Sequence, residues 1–201
     1  MGIPVLVMGQ SGAGKSTSLR NFEADEVGVF NVASKPLPFR KKLKLVDHAN
    51  YSTIAGTLKA NKLKRYVIDD SQYLLAFEQL ARANEVGYKK YTDMGVNFCS
   101  LINLIINDTS PDTVVYLLHH TERDENGHVK AKTVGRLIDN WITLEGLFSI
   151  VLLATVDADG HWFVTQSDGT TTAKSPMEML PPKMENDLKA VDDAIRAYYE
   201  F

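Results

Sequence analysis

The stretch Gly9-Gln10-Ser11-Gly12-Ala13-Gly14-Lys15-Ser16 has the residue types and spacing of a phosphate-binding loop, and it lies between an apolar run and the start of a helical segment. Its glycines let the backbone turn so that N–H groups from Gly12 to Ser16 converge on one concavity, beside the positive end of the following helix. Lys15 supplies a point charge for the outer two phosphates of a nucleoside triphosphate, and the Ser16 hydroxyl ligates the magnesium that bridges them. Thr17 follows at the innermost phosphate. Gly9, Ser11, Gly12, Ala13, Gly14, Lys15, Ser16 and Thr17 are therefore the expected ATP-binding residues.

A triphosphate-bound magnesium also needs a carboxylate, and Tyr66-Val67-Ile68-Asp69 offers one as an apolar strand ending in acid, expected next to the phosphate loop. Asp69 is the first choice for the metal. Asp70, pointing the other way, orients the attacking water; a register slip of one residue would exchange the two roles. His119-His120-Thr121-Glu122 should leave another strand at the same edge, where open parallel sheets gather ligand contacts. His119 is the candidate sensor of the outer phosphate, and Glu122 is the alternative to Asp70 as the catalytic acid. An extra cation for the charge that develops in the transition state is sought among Lys132, Arg136 and Lys174. His128 and His161 read as loop and hairpin residues without metal-ligand spacing.

These groups need a scaffold, and the composition allows one. The chain has 201 residues, 44% apolar and 23% charged, which fits one domain spanning 1–201 without repeat, low-complexity segment or linker. A lone Cys99 excludes an internal disulfide and a cysteine-based zinc cage. A net charge of -3 excludes a global positive field, so any polyanion site must be local. No basic leader and no apolar run of roughly 18 residues is present, so a soluble cytoplasmic protein that does not enter membranes is expected.

Short apolar runs at Val5–Met8, Val27–Val32, Tyr66–Ile68, Thr113–Leu118 and Phe148–Thr155 read as strands, the last joined through Asp157-Ala158-Asp159-Gly160 to a hairpin partner at His161–Gln166. Helices are expected at Ser16–Phe22, from a Ser52 cap through Ala60, over Tyr73–Ala81, over Val96–Ile105, and near the C-terminus with Leu188, Val191, Ile195 and Tyr198 on one face. Leu137–Trp141 reads as one or two further helical turns, Asp124–Gly127 as a turn, and Arg40–Lys44 as an exposed basic stretch. Strands alternating with helices give an α/β fold with a mostly parallel sheet, followed by a β-hairpin and a closing helix.

The phosphate loop, Val67–Tyr73, Lys132–Leu137, Lys174-Ser175-Pro176 and the helix from Asn186-Asp187-Leu188 to Tyr199 together resemble phage-type AAA/RecA-like P-loop ATP-binding proteins of recombination and replication modules. The resemblance implies a three-layer RecA-like core, ATP hydrolysis with Mg2+, self-assembly into a homo-oligomer, and action on single-stranded DNA in the cytoplasm of a phage-infected or lysogenic host. Arg40–Lys44, Lys62–Arg65 and Lys89-Lys90-Tyr91 are the basic clusters available for nucleic acid. Two other readings share the same loop: a P-loop small-molecule or nucleotide kinase, whose lid would be Thr121–Lys132, and a non-hydrolysing ATP-switched binding protein.

Overall fold

A computed structural model describes residues 1–133 and 142–201. Each apolar run becomes a strand because its side chains are buried on both faces. The strands are β1 (Ile3–Gly9), β2 (Gly28–Asn31), β3 (Lys44–Asp47), β4 (Arg65–Asp69), β5 (Val114–Arg123), β6 (Val129–Ala131), β7 (Ile150–Asp157), β8 (Gly160–Val164) and β9 (Lys183–Glu185). They form one sheet in the order β3-β2-β4-β5-β1-β7-β8-β9, with β6 paired to the far end of β5. From β3 through β7 the neighbours are parallel, whereas β8, β9 and β6 join antiparallel.

Helices α1 (Tyr51–Ala60), α2 (Gln72–Ala81) and α3 (Lys89–Asp108) cover one face, and a 3₁₀ segment (Ser16–Asn21) and α4 (Leu188–Tyr199) cover the other. Strand alternation feeds the two cores. Leu6 and Met8 join Ile54, Leu74, Phe98 and Ile102 on one side, while Val5 and Val7 join Leu19, Phe22, Val191 and Ile195 on the other. Helix α4 is also held by charge, because the fully buried Asp192 accepts hydrogen bonds from Tyr116 Oη, Arg65 Nε and Arg196 Nε.

A parallel sheet collects the C-terminal ends of its strands at one edge. Here the register places Gly9 beside both His120 and Ala154, and Asn31 beside Asp69. The strand ending in Asp69 reaches the loop after β1 without pairing with β1, since β5 runs between β4 and β1.

Other differences have local causes. Asn50, not Ser52, caps α1, its Oδ1 accepting from Thr53 N at 3.0 Å. The segment after the loop is 3₁₀ rather than α-helical, with Ser18 N shared between Gly14 O and Lys15 O. Strand β3 occupies the end of the expected basic stretch; as a short edge strand with no fully buried residue it carries no apolar run to announce it. The same holds for the outer strand β9. Leu137–Trp141 lies outside the described residues.

Candidate functional site

The loop after β1 is built around its lysine. Gly12 and Gly14 take left-handed backbone angles, φ 83° and 91°, that a side chain would strain. Gly14 also has no room for one, because a Cβ there would stand 2.9 Å from His161 Nδ1 and 3.3 Å from Asn186 Oδ1. The buried Lys15 folds back over the loop, its Nζ donating to Gly9 O at 2.8 Å and Gln10 O at 2.9 Å. Burial pulls its pKa down to about 8, against the opposing attraction of Asp70 and Asp69.

Ser16, next in the chain, donates from Oγ to Asp69 Oδ1 at 2.9 Å. This contact joins the loop after β1 to the end of β4 across the intervening strand. Burial raises the Asp69 pKa, with the Ser16 hydrogen bond pulling the other way. Ser16 Oγ and Asp69 Oδ1 are hard oxygen donors at the spacing of neighbouring ligands around an octahedral magnesium with bonds of about 2.0–2.1 Å. Among the described residues no group of three His, Cys, Asp or Glu side chains is assembled to cage a metal. The site thus fits an ion that takes its remaining ligands from phosphate and water.

Asp70 stands at the turn from β4 into α2 with φ 59°. Lys35 Nζ donates to its Oδ2 at 2.6 Å, and His120 Nε2 approaches Oδ1 to 3.3 Å. Burial alone would raise the Asp70 pKa, but the contacts from His120 and Lys35 outweigh it and hold the carboxylate at about 2. So low a pKa makes Asp70 a poor proton acceptor and a good fixed acceptor for hydrogen bonds.

Of the two histidines at the end of β5, His119 points into the apolar layer against Phe98 and is fully buried. Its Nε2 donates to Lys132 O at 2.8 Å, leaving Nδ1 as acceptor for Ser71 Oγ at 2.9 Å. Burial lowers its pKa to about 4, so it is neutral at pH 7. His119 is thus engaged at both nitrogens in the core; alternation along the strand delivers His120 to Asp70 instead.

Glu122 lies beyond this point on the β5–β6 ribbon, 3.1 Å from Lys130 Nζ. Lys174 bridges Val151 at the opposite end of β7, three residues short of Ala154, the residue level with the loop. The structure therefore brings Lys15, Ser16, Asp69 and Asp70 together and places Glu122 and Lys174 elsewhere. Arg136 lies outside the described residues. Thr17 is half-buried directly after Ser16, and Ser11 is exposed at the loop tip.

Two participants escape sequence reasoning: Lys35, which flanks Asp70 together with His120, and the buried Asn186, which lies against Gly14 with neither amide atom hydrogen-bonded. Asn186 belongs to a C-terminal brace on the segment after the loop: its carbonyl accepts from Arg20 Nη1 at 2.5 Å, and Asp187 Oδ2 accepts from Asn21 Nδ2 at 2.7 Å. The only available signal was positional, since residues following a parallel strand converge on the same edge. A cavity of about 270 Å3 adjoins the loop, lined by Gln10, Ser11, Ala13, Thr121, Arg123 and Leu153 among others. No family model matches the chain, and no curated protein matches it.

Proposed function

We propose that this protein is a magnesium-dependent P-loop ATPase. The observation that carries the reading is the junction of loop and strand: a buried Lys15 over a glycine loop, with Ser16 Oγ bonded to Asp69 Oδ1 at 2.9 Å. Polar atoms so placed suit a polyphosphate with its metal. The amides of Gly12 to Ser16 bind the phosphate chain, and Lys15 leaves the carbonyls of Gly9 and Gln10 for its outer oxygens. Ser16 and Asp69 would hold Mg2+, which supplies charge neutralisation between the outer phosphates. Asp70, kept ionised, accepts a hydrogen bond from the attacking water and orients it. Water oxygen bonds to the outer phosphorus as the bridging P–O bond breaks; its electron pair leaves with ADP, and the water proton passes through phosphate to solvent.

The kinase alternative needs a cationic lid, and the stretch Thr121–Lys132 instead forms the β5–β6 ribbon, where Arg123 Nη1 donates to Gly127 O in its own turn. Action on single-stranded DNA and self-assembly rest on the resemblance, since Lys41, Lys64, Arg65 and Lys89 already pair with Glu23, Asp112, Asp192 and Asp93. Among the described residues no helix is long and apolar enough to cross a membrane.

The test is phosphate release from ATP, with and without Mg2+ and single-stranded DNA, in wild type, Lys15→Ala and Asp69→Asn. Metal-dependent turnover lost in both variants supports the reading; no turnover and no ATP binding by the folded wild type removes it. Stimulation by DNA would carry the reading on to nucleic acid.

A further inference from the structure

We propose that Lys35 is the catalytic cation of this site, supplied in cis, which exchanges Asp70 for the outer phosphate of a bound triphosphate. The proposal rests on the ATPase reading and adds a residue to it. Lys35 follows β2, whose end lies beside Asp69 in the register, and its Nζ sits 2.6 Å from Asp70 Oδ2. Its aim is built rather than incidental. The buried Asn31 clamps the Lys35 main chain from both sides, donating from Nδ2 to Lys35 O at 2.8 Å and accepting from Lys35 N at 3.2 Å. Asn31 is itself fixed by Asp47 Oδ1 at 2.7 Å. Ser34, just before Lys35, is held at φ 52°, and Asp70 opposite it at φ 59°, two non-glycine residues in a conformation that costs energy and concentrates at functional sites. The ammonium is further steered by the Tyr73 ring, 4.9 Å from Nζ to the centroid.

Two lysines thus converge on one pair of carboxylates, close enough for Lys15 and Lys35 to repel each other. A polyanion entering between them relieves that repulsion. The Lys35 side chain is 57% exposed, whereas Asp70 is 12% exposed and keeps His120 within 3.3 Å when Lys35 leaves. Exchange to the outer phosphate would then do two things at once: it neutralises charge at the transferred phosphoryl group, and it frees Asp70 Oδ2 to accept from the attacking water. This assigns to Lys35 the role sought among Lys132, Arg136 and Lys174.

The experiment measures Mg-ATP and Mg-ADP dissociation constants by calorimetry, together with kcat, for wild type, Lys35→Ala and Lys35→Arg. A contact to the outer phosphate alone predicts that Lys35→Ala loses about 100-fold or more in kcat and about tenfold in ATP affinity, keeps ADP affinity within about twofold, and is largely rescued in Lys35→Arg. In an Asp70→Asn background, Lys35→Ala should still abolish the preference for ATP over ADP, which a mere lock on Asp70 would not do. Equal weakening of both nucleotides, or kcat within about threefold of wild type, overturns the proposal while leaving the ATPase reading intact. A wild type that neither binds nor hydrolyses ATP overturns both.

Discussion

Raising the pH from 7 to 9 should weaken ATP binding through Lys15. In the nucleotide-free loop burial holds this ammonium at about 8, whereas between phosphate oxygens it regains the ordinary lysine value of about 10.4 or more. Above pH 8 the free protein has therefore lost a proton that the complex needs, and binding must take it up again. The dissociation constant for Mg-ATP should rise about tenfold from pH 7 to pH 9, equivalent to about 1.4 kcal/mol. Calorimetry in buffers of different ionisation enthalpy should show uptake of about 0.9 proton per ATP at pH 9 and about 0.1 at pH 7. Lys15→Ala should bind weakly and lose both dependences. A wild-type affinity that stays flat over this interval, with no proton uptake, would refute the assignment of Lys15 to phosphate in a desolvated loop.

The loop's backbone can be probed separately. Gly14→Ala combines a strained φ with a collision against His161 and Asn186, while Gly12→Ala meets the strain alone because nothing lies within 4 Å. ATP affinity should fall at least tenfold more in the first than in the second, read by the same calorimetry. Asp192→Ala removes a fully buried carboxylate from Arg65, Arg196 and Tyr116 and should cost about 3 kcal/mol in denaturant unfolding, with ATP affinity unchanged. His119, lowered from 6.5 to about 4, binds its proton more weakly folded than unfolded. Stability is therefore full above pH 6.5 and falls as the pH drops toward 4, by about 3 kcal/mol from this group, and the slope should flatten in His119→Gln.

Much of the scaffold was legible because buried parallel strands advertise themselves as apolar runs. Val5–Met8 and Tyr66–Ile68 fall inside β1 and β4, Thr113–Leu118 starts one residue before β5, and the hairpin after Asp157 is present as β7 and β8. Edge strands β3 and β9 were not legible, since half-exposed short strands share their composition with loops. The loop and Asp69 could be read from local spacing, but strand order could not: nothing in Tyr66–Asp69 says that β5 intervenes before β1. The choice between His119 and His120 was a matter of which face of β5 each occupies, and a one-residue ambiguity in register decides it. Lys35 was hidden for a different reason. Its role comes from Asn31 and Ser34 directing an otherwise ordinary surface lysine, an arrangement made only by folding.

The central claim is tested most directly by a crystal structure with Mg2+ and a non-hydrolysable ATP analogue. The account predicts phosphate oxygens against the amides of Gly12 to Ser16, Lys15 Nζ moved from Gly9 O and Gln10 O onto the outer phosphates, and a metal ion replacing the direct Ser16–Asp69 hydrogen bond. A nucleotide bound away from this loop, or one that leaves the 2.9 Å Ser16–Asp69 contact and the Lys15 carbonyl contacts in place, would contradict it.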